Sequence, residues 1–488
     1  MKLSRLGRAW RLITLLPILV AFGLAAARLS QQPGRAPFLV DEPSASADSA
    51  QATQGTLSAQ TAQVAQTAPT AQTASTAQTA STAQTASTAQ TASTANRARF
   101  ERGFLPNPNH TEAHSATLVA LRDGRVRAFW LAGNEGSQEA VISTAVFDPR
   151  SASWSMPSKV VDAASAATAL KRYVRKVGNA VAHREADGRL TLFFVTVSVG
   201  GWAGSSIATM TSTDDGVTWT AARRLITSPF LNLSTLVRQP AVAHSDGTLV
   251  LPVYHEFVAR FGELLRLDSE RRVIDKQRLS VETPALQPNI LVRDGSHAIA
   301  LLRNGADTPP RSVLIASTSD AGQSWTVPAK SALPNPGTPV SGVTLPDGRL
   351  LLTLNDAQIR RRRLSLMISS NDGASWTLLH TFEDQSVAGE KAPGKVQYQR
   401  DLQQLAISAG LSEPDAAATA KAALYPMCRS DTQCDFEFSY PSLLRTAANE
   451  FHLVYTWNRA GIRTVRFNQA WLDERVNQAK SSPGASAN

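Results

Sequence analysis

The chain is poor in the residues that staple small folds or gather metals. Only 2 of its 488 residues are cysteine, which excludes a disulfide-built scaffold. No His or Cys spacing of a zinc site accompanies them, and no glycine-rich, phosphate-cradling loop occurs. Acidic turns abound, which leaves calcium open, yet nothing specific points to it, and no metal and no cofactor are expected. Long 3.6-residue apolar periods are missing between the turn signals, which excludes a helical bundle or an alternating α/β fold. Acidic side chains are outnumbered, 39 against 49 basic, for a net charge of +10.

What the chain does have is a repeat. Ser212-Thr213-Asp214-Asp215-Gly216-Val217-Thr218-Trp219 recurs as Thr318-Ser319-Asp320-Ala321-Gly322-Gln323-Ser324-Trp325 and as Ser369-Ser370-Asn371-Asp372-Gly373-Ala374-Ser375-Trp376. The Asp or Asn can bond its own backbone and open a turn. The Gly permits positive φ, and the Trp supplies an apolar plate. A second signal keeps phase with it. Asp-Gly pairs flanked by apolar runs stand at Asp123, Asp187, Asp246, Asp294 and Asp347, and Ala448-Asn449 has the same setting. Asp-Gly between apolar runs marks a hairpin. The Trp of a box follows its Asp-Gly turn by 29 to 32 positions, and on that phase Pro149 to Trp154 reads as a decayed first box. The unit near Asp275 has none. Six units of roughly 50 residues, each of about four strands, predict an all-β six-bladed propeller.

These boxes resemble the Asp-box (BNR) repeats of the bacterial sialidase superfamily. Further matching stretches are Gly201-Trp202-Ala203-Gly204-Ser205-Ser206, Leu236-Val237-Arg238-Gln239-Pro240, Tyr254-His255-Glu256-Phe257, Leu286-Gln287-Pro288, Tyr440-Pro441-Ser442-Leu443 and His452 to Arg459. The likeness covers about residues 100–475. It is specific for fold and weaker for activity, because Asp-boxes also occur in propellers that cleave no sialic acid.

Around the propeller the chain divides as follows. Residues 1–30 carry Lys2, Arg5, Arg8 and Arg11 and then an apolar run from Leu12 to Ala27. That is an export signal, either cleaved near Ala25-Ala26-Ala27 or kept as an anchor. The protein is then exported, periplasmic or extracellular, and possible membrane attachment runs through residues 12–29. Residues 31–99 form a low-complexity Ala/Gln/Thr/Ser linker, read as a disordered spacer. The propeller spans 100–475, with the segment before His114 expected to supply the last outer strand. Residues 383–435 read as a helical insertion between blades five and six, with Gln399–Leu411 and Glu413–Leu424 helical and a cap over the channel mouth conceivable. Residues 476–488 read as a disordered tail. Cys428 and Cys434 suit a local disulfide in an exported chain. Metal binding is the lesser alternative. Export disfavours nucleic acid as a partner, so the basic charge is assigned to an anionic glycan or an anionic membrane surface. The run Arg360-Arg361-Arg362-Arg363 is either a solvated loop or a contact to an acidic sugar.

Topology alone selects candidate site residues. First strands run toward the Asp-Gly turns and second strands run back, so first-strand starts and second-strand ends share the opposite face, around the channel. His114, Asn179, Arg238, Gln239, Gln287 and Tyr440 stand at first-strand starts. Glu135, Tyr254, His255, Glu256, Arg303, Asn355, Asp356 and Arg459 stand at second-strand ends. The resemblance implies roles for some. Tyr440 matches the nucleophilic Tyr, and Arg303 matches one of three carboxylate-binding arginines. Gln287 stands where the family has the Glu that assists the Tyr; an amide can orient a hydroxyl but cannot take its proton. His114 stands for the first arginine, and no third is found near Asn335 to Ser341. Glu135 sits where the acid/base Asp is expected, Glu256 is a second acid, and His255 could serve as base. Arg238 or Arg175 could replace the lost clamp, and Arg459, Tyr254, Asn179 and Asp356 complete the substrate set. The reading is an exported sialidase-like exo-glycoside hydrolase on a terminal sialic-acid-like or other acidic sugar. The alternatives are a non-catalytic glycan-binding propeller at the cell envelope, with Trp130, Trp202 and Trp457 as platforms, and a structural scaffold for envelope assembly.

Overall fold

The computed structural model describes residues 34–40, 97–135, 137–228, 232–386 and 392–481. The expected leader, and most of the expected linker, lie outside the described residues. Six antiparallel sheets of four or five strands form the blades of a propeller. The first strands are Ala113–Ala120, Lys176–Arg184, Leu236–Val237, Ala285–Val292, Ser341–Thr344 and Phe438–Arg445. Blade six takes its outermost strand from the start of the domain: Phe100–Phe104 pairs antiparallel with Gly461–Asn468, Phe100 opposite Phe467. The core lies between successive blades, where Phe129, Phe193, Phe194, Tyr455 and Trp457 are wholly buried. Each such side chain contributes about 2–3 kcal/mol of apolar burial.

The repeat chemistry acts locally, as its residue types require. In the first hairpin the Asp123 carboxylate accepts from the Arg125 amide at 3.1 Å, and Gly124 takes φ +82°. The Gly124 N–H donates to Leu121 O, and Leu121 N–H to Arg125 O. This is a three-residue loop closed by a left-handed residue. At the sixth hairpin Asn449 (φ +54°) replaces the glycine with the same bonds between Thr446 and Glu450. In the box of blade two, Ser212 Oγ accepts from Gly216 N–H at 2.8 Å, and Asp214 accepts from both Thr218 N–H and Thr218 Oγ1–H. Trp219 Nε1–H closes the box on Gly216 O at 3.0 Å. The Trp219 ring then stands edge-on to Phe129 of blade one, 5.9 Å away. The boxes of blades two and five thus clip each blade to the preceding one, at the end of the molecule that carries the turns.

Four departures from expectation follow from the packing. Helix α1, Ala163–Leu170, connects blades one and two, started by a capping box between Asp162 and Ser165. The insertion holds helices α2, Lys395–Ser408, and α3, Glu413–Met427, followed by a ribbon bridged by the Cys428–Cys434 disulfide. These helices bury Tyr398, Leu402, Ala416 and Ala420 in the cluster that holds Phe438, Tyr455 and Trp457. They flank blades five and six, and only the returning stretch Asp435 to Glu437 turns to the mouth. The predicted tail is helical as far as Ser481 within α4, Gln469–Ser481, with Trp471, Leu472 and Val476 buried. Finally, the predicted linker is docked at residues 34–40, where Phe38 is buried and bridges His244. Among the described residues no helix is long and apolar enough to cross a membrane.

Candidate functional site at the channel mouth

The first strands are not regular where they enter the channel. Pairing slips between His114 and Thr117, Gly178 and Ala180, Leu286 and Asn289, and Ser439 and Ser442. Each slip is a β-bulge, which re-aims one side chain. Ser115, Gln287 and Tyr440 hold left-handed φ of +59°, +51° and +55° there. For residues with a Cβ this is strained backbone, tolerated where surroundings over-determine it. At Tyr440 the surroundings are visible. The Arg238 guanidinium donates to Tyr440 O at 2.8 Å and Pro441 O at 3.0 Å. It also lies under the Tyr440 ring, 5.5 Å from its centroid.

The bulges bring most of the expected residues together. Ser115 Oγ–H donates to Asn179 at 2.8 Å, and Asn179 Nδ2–H donates to Tyr254 Oη at 3.2 Å. Tyr440 packs against His114, with ring centroids 4.3 Å apart. Arg303 donates to Gln287 Oε1 at 3.3 Å. The floor of this group is closed to ligand. His114, Arg238 and Gln287 are each 1% exposed and Tyr254 is 4% exposed. Burial and nearby Arg459 push His114 down to about 3, so it is neutral and bonds Thr456. It cannot take the place of a clamp arginine. Burial drives the Tyr254 phenol well up, helped by Tyr440 and Glu256. Arg238 is lowered by burial to about 10 and still carries its charge at neutral pH. Arg238, expected to contact substrate, is therefore a positioning residue beneath Tyr440.

The cations at the mouth include the expected Arg303 and two others. Arg361 stands 5.6 Å from the Tyr440 ring centroid and pairs with Glu437 at 2.9 Å. Its neighbours in the run turn away, Arg360 and Arg362 both pairing with Asp435. Arg311 is half-buried beside Gly337, and Arg303 and Arg361 both lower its pKa after burial has done so. Arg303, Arg311 and Arg361 thus form a half-buried cationic side. Arg303 and Arg311 bond to an amide and a carbonyl oxygen, Gln287 Oε1 and Ala306 O. Sequence reasoning missed Arg311 and Arg361. The acids of Asp435-Phe436-Glu437 pair with Arg360, Arg361 and Arg362, but a run of identical arginines does not say which of them pairs where.

Opposite lies an acidic side built on Arg459, which bonds Glu135 at 2.6 Å, Glu112 at 3.0 Å and Glu437 at 3.4 Å. Burial would raise Glu437, but Arg361 and Arg459 outweigh it and hold the carboxyl far below its usual range. Glu135 is lowered too: the charge and hydrogen bond of Arg459, with the charge of Lys176, outweigh its burial, while neutral His114 adds none. Glu135 is therefore ionised and poorly suited to give a proton. Burial leaves Glu112 raised despite Arg459, which makes it the better proton donor of the pair. Other expected residues lie apart. His255 turns to Glu263 at 3.0 Å and stacks on Phe261. Asp356 faces Arg363 at 3.6 Å on the flank of blade five, and Arg175 is exposed at the edge of blade two. Glu256 stays at the mouth, its amide bonded to Ser234. Of the aromatic platforms, Trp130 and Trp457 are buried. Trp202 is half-exposed, seated where a Cβ on Gly178 would come within 2.5 Å of it, with Lys176 Nζ 3.7 Å over the ring. Among the described residues no group of three or more His, Cys, Asp or Glu side chains is placed to hold a metal ion.

Residues 124–453 match the model of the BNR repeat-like domain. The chain belongs to the BNR repeat-like family. No curated protein matches it in sequence. Solved structures share the fold of this BNR repeat-like propeller at low identity. The Hadza microbial sialidase Hz136 is 13% identical with a TM-score of 0.52, covering 73% of this chain and 66% of its own. The chain thus spans slightly less than two thirds of that sialidase. A protein of unknown function from Dyadobacter fermentans is 12% identical with a TM-score of 0.54, covering 76% of this chain and 99% of its own. The NanB sialidase from Streptococcus pneumoniae is 10% identical with a TM-score of 0.52, covering 75% and 70%. At these identities the likeness shows the fold of propeller glycosidases.

Proposed function

We propose that this BNR repeat-like propeller is an exo-acting glycoside hydrolase that takes a terminal acidic sugar into the channel mouth, with Tyr440 as nucleophile. One observation carries the reading. Tyr440 is held in a left-handed bulge at the mouth, between buried Arg238 and the half-buried arginines 303, 311 and 361. Planar guanidinium forks suit a carboxylate on the sugar. A phenol suits a reacting carbon beside that carboxylate better than an anionic nucleophile, and tyrosine is a known exception to the two-carboxylate rule. In this reading Tyr440 Oη attacks the anomeric carbon while Glu112 gives its proton to the departing oxygen. Glu256, on the Tyr254 side, is the carboxylate available for the Tyr440 proton. Water then attacks the anomeric carbon while Glu112 takes its proton, and the bond to Tyr440 Oη breaks as Glu256 returns the proton to the phenol. The basic, apolar leader and the Cys428–Cys434 bridge support work outside the cytoplasm.

A specific observation favours a second reading. Gln287 cannot act as base, and Glu135 is tied to Arg459. A site so arranged fits a glycan-binding propeller with Trp202 as its platform. Hydrolysis of fluorogenic sialosides, uronides and neutral glycosides by the full chain separates the two. Turnover of an acidic glycoside that is lost in Tyr440→Phe while ligand still binds supports the enzyme. Binding without turnover across the panel overturns it in favour of the lectin.

A further inference from the structure

The docked segment 34–40 lies on the turn-bearing end, opposite the mouth. Phe38 N–H donates to Gly295 O and Leu39 N–H to Ala243 O, while Ser245 N–H donates back to Pro37 O, all at 2.8 Å. His244 Nδ1 bonds Ala36 O at 2.6 Å, and the Phe38 ring lies 4.7 Å from the His244 ring. Arg35 pairs with Asp275 at 2.9 Å and donates to Gly322 O. That last bond replaces one inside the repeat. In blades two and five the box Trp closes on its own glycine, Trp219 to Gly216 O and Trp376 to Gly373 O, each at 3.0 Å. In blade four Arg35 occupies Gly322 O, and Trp325 Nε1 has no partner among the described residues. Phe38 fills the space beside Gly322, between the box of blade four and Val250 and Leu264 of blade three.

We infer that residues 34–40 are a latch that fixes which face of the propeller is turned to whatever holds the N-terminus, and at what distance. The surface read here is a lipid bilayer holding residues 12–29. From Leu29 to Gly34 an extended chain spans at most about 18 Å, so the latched propeller sits with its turn end at that surface and its mouth outward. The low-complexity stretch, joined at both ends to docked residues, then adds no reach. Released, the first fixed point becomes residue 97, and the extended limit rises to roughly 240 Å. This inference does not depend on catalysis.

The test uses the full chain with Ser30→Cys and Ser269→Cys labelled as a donor–acceptor pair; Ser269 is exposed on the outer hairpin of blade three. Energy transfer near its ceiling is expected, falling at least twofold in Arg35→Ala/Phe38→Ala. Low transfer in the parent chain, or no change in the variant, overturns the latch. Pro37→Cys/Gly295→Cys guards against misfolding, since Pro37 Cβ lies 3.1 Å from where a Cβ at Gly295 would sit. Oxidation should cross-link it and hold transfer high, and failure to cross-link also overturns the latch. In phosphatidylcholine/phosphatidylglycerol vesicles with a headgroup acceptor, a dye at Ser269→Cys should be quenched at least twice as strongly as one at Val258→Cys. Equal quenching, or no association with the vesicles, overturns the bilayer assignment.

Discussion

Arg459→Met offers a stringent test of the acidic side, because one cation there serves three carboxylates. The substitution keeps volume and leaves Glu112, Glu135 and buried Glu437 without it; Glu437 retains Arg361. Removing one partner of a buried pair costs about 3–5 kcal/mol. With an unfolding entropy of about 2.1 cal/mol/K per residue, a propeller of this size has ~0.8 kcal/mol/K, so Tm should fall by about 4–6 °C at pH 7.5. The pH dependence should also change sign. In the parent, Glu437 and Glu135 are held below their ordinary value of 4.5. Groups of that kind stabilise above the unfolded value, and the contribution is lost as pH falls below it. In the variant, burial without Arg459 raises Glu135 and raises Glu112 further. A raised carboxyl loses stability as pH rises through its ordinary range. Calorimetry from pH 4.5 to 7.5 should show the Tm deficit shrinking toward the acid end. A deficit under 1 °C at pH 7.5, or one that grows toward pH 4.5, would refute the assignment of these carboxylates to Arg459.

Arg303→Ala and Arg311→Ala should each weaken binding of an acidic sugar about 10–100-fold, from the loss of a charge-assisted hydrogen bond of about 1.5–3 kcal/mol, as read by calorimetric titration. Gln287→Glu sets a carboxylate against Arg303 and should weaken binding of an acidic sugar about tenfold by neutralising that guanidinium, and unchanged affinity in the titration would detach Arg303 from the substrate. Ser212→Ala should cost about 1–2 kcal/mol in urea unfolding, because it strands the buried Gly216 N–H. Cys428→Ala/Cys434→Ala should cost about 2 kcal/mol and reduce turnover, since the bridge precedes the irregular stretch that carries Asp435 and Glu437 to the arginines.

The fold was legible because its instructions are short. Asp123-Gly124, or Ser212 through Trp219, satisfies its own hydrogen bonds within eight residues, so the letters and the geometry coincide. Tyr440 and Gln287 were reachable by counting strand directions. Their depth was not, and depth divides Tyr440 at the mouth from Arg238 and His114 beneath it. Arg361 was hidden among identical neighbours; whether it or Arg360 faces the channel depends on pairing with Asp435 and Glu437 seventy-odd positions away. Helix α1 did carry a readable start, Asp162 with Ser165 three residues on, before an alanine run. The docking of Phe38 had no local mark, since its partners His244, Gly295 and Gly322 lie more than two hundred positions away.

The bulged first strands have a consequence for how this scaffold can change. Each strand holds its blade through the hairpin at one end and displays a single re-aimed residue at the other. Ser115, Asn179, Gln287 and Tyr440 can be exchanged without touching Asp123, Asp187, Asp294 or the Asn449 turn. Four of the six blades thus aim one residue at the channel on a framework maintained elsewhere, and Asn179 and Tyr440, the two that are not fully buried, can be exchanged with the least disturbance of the packing.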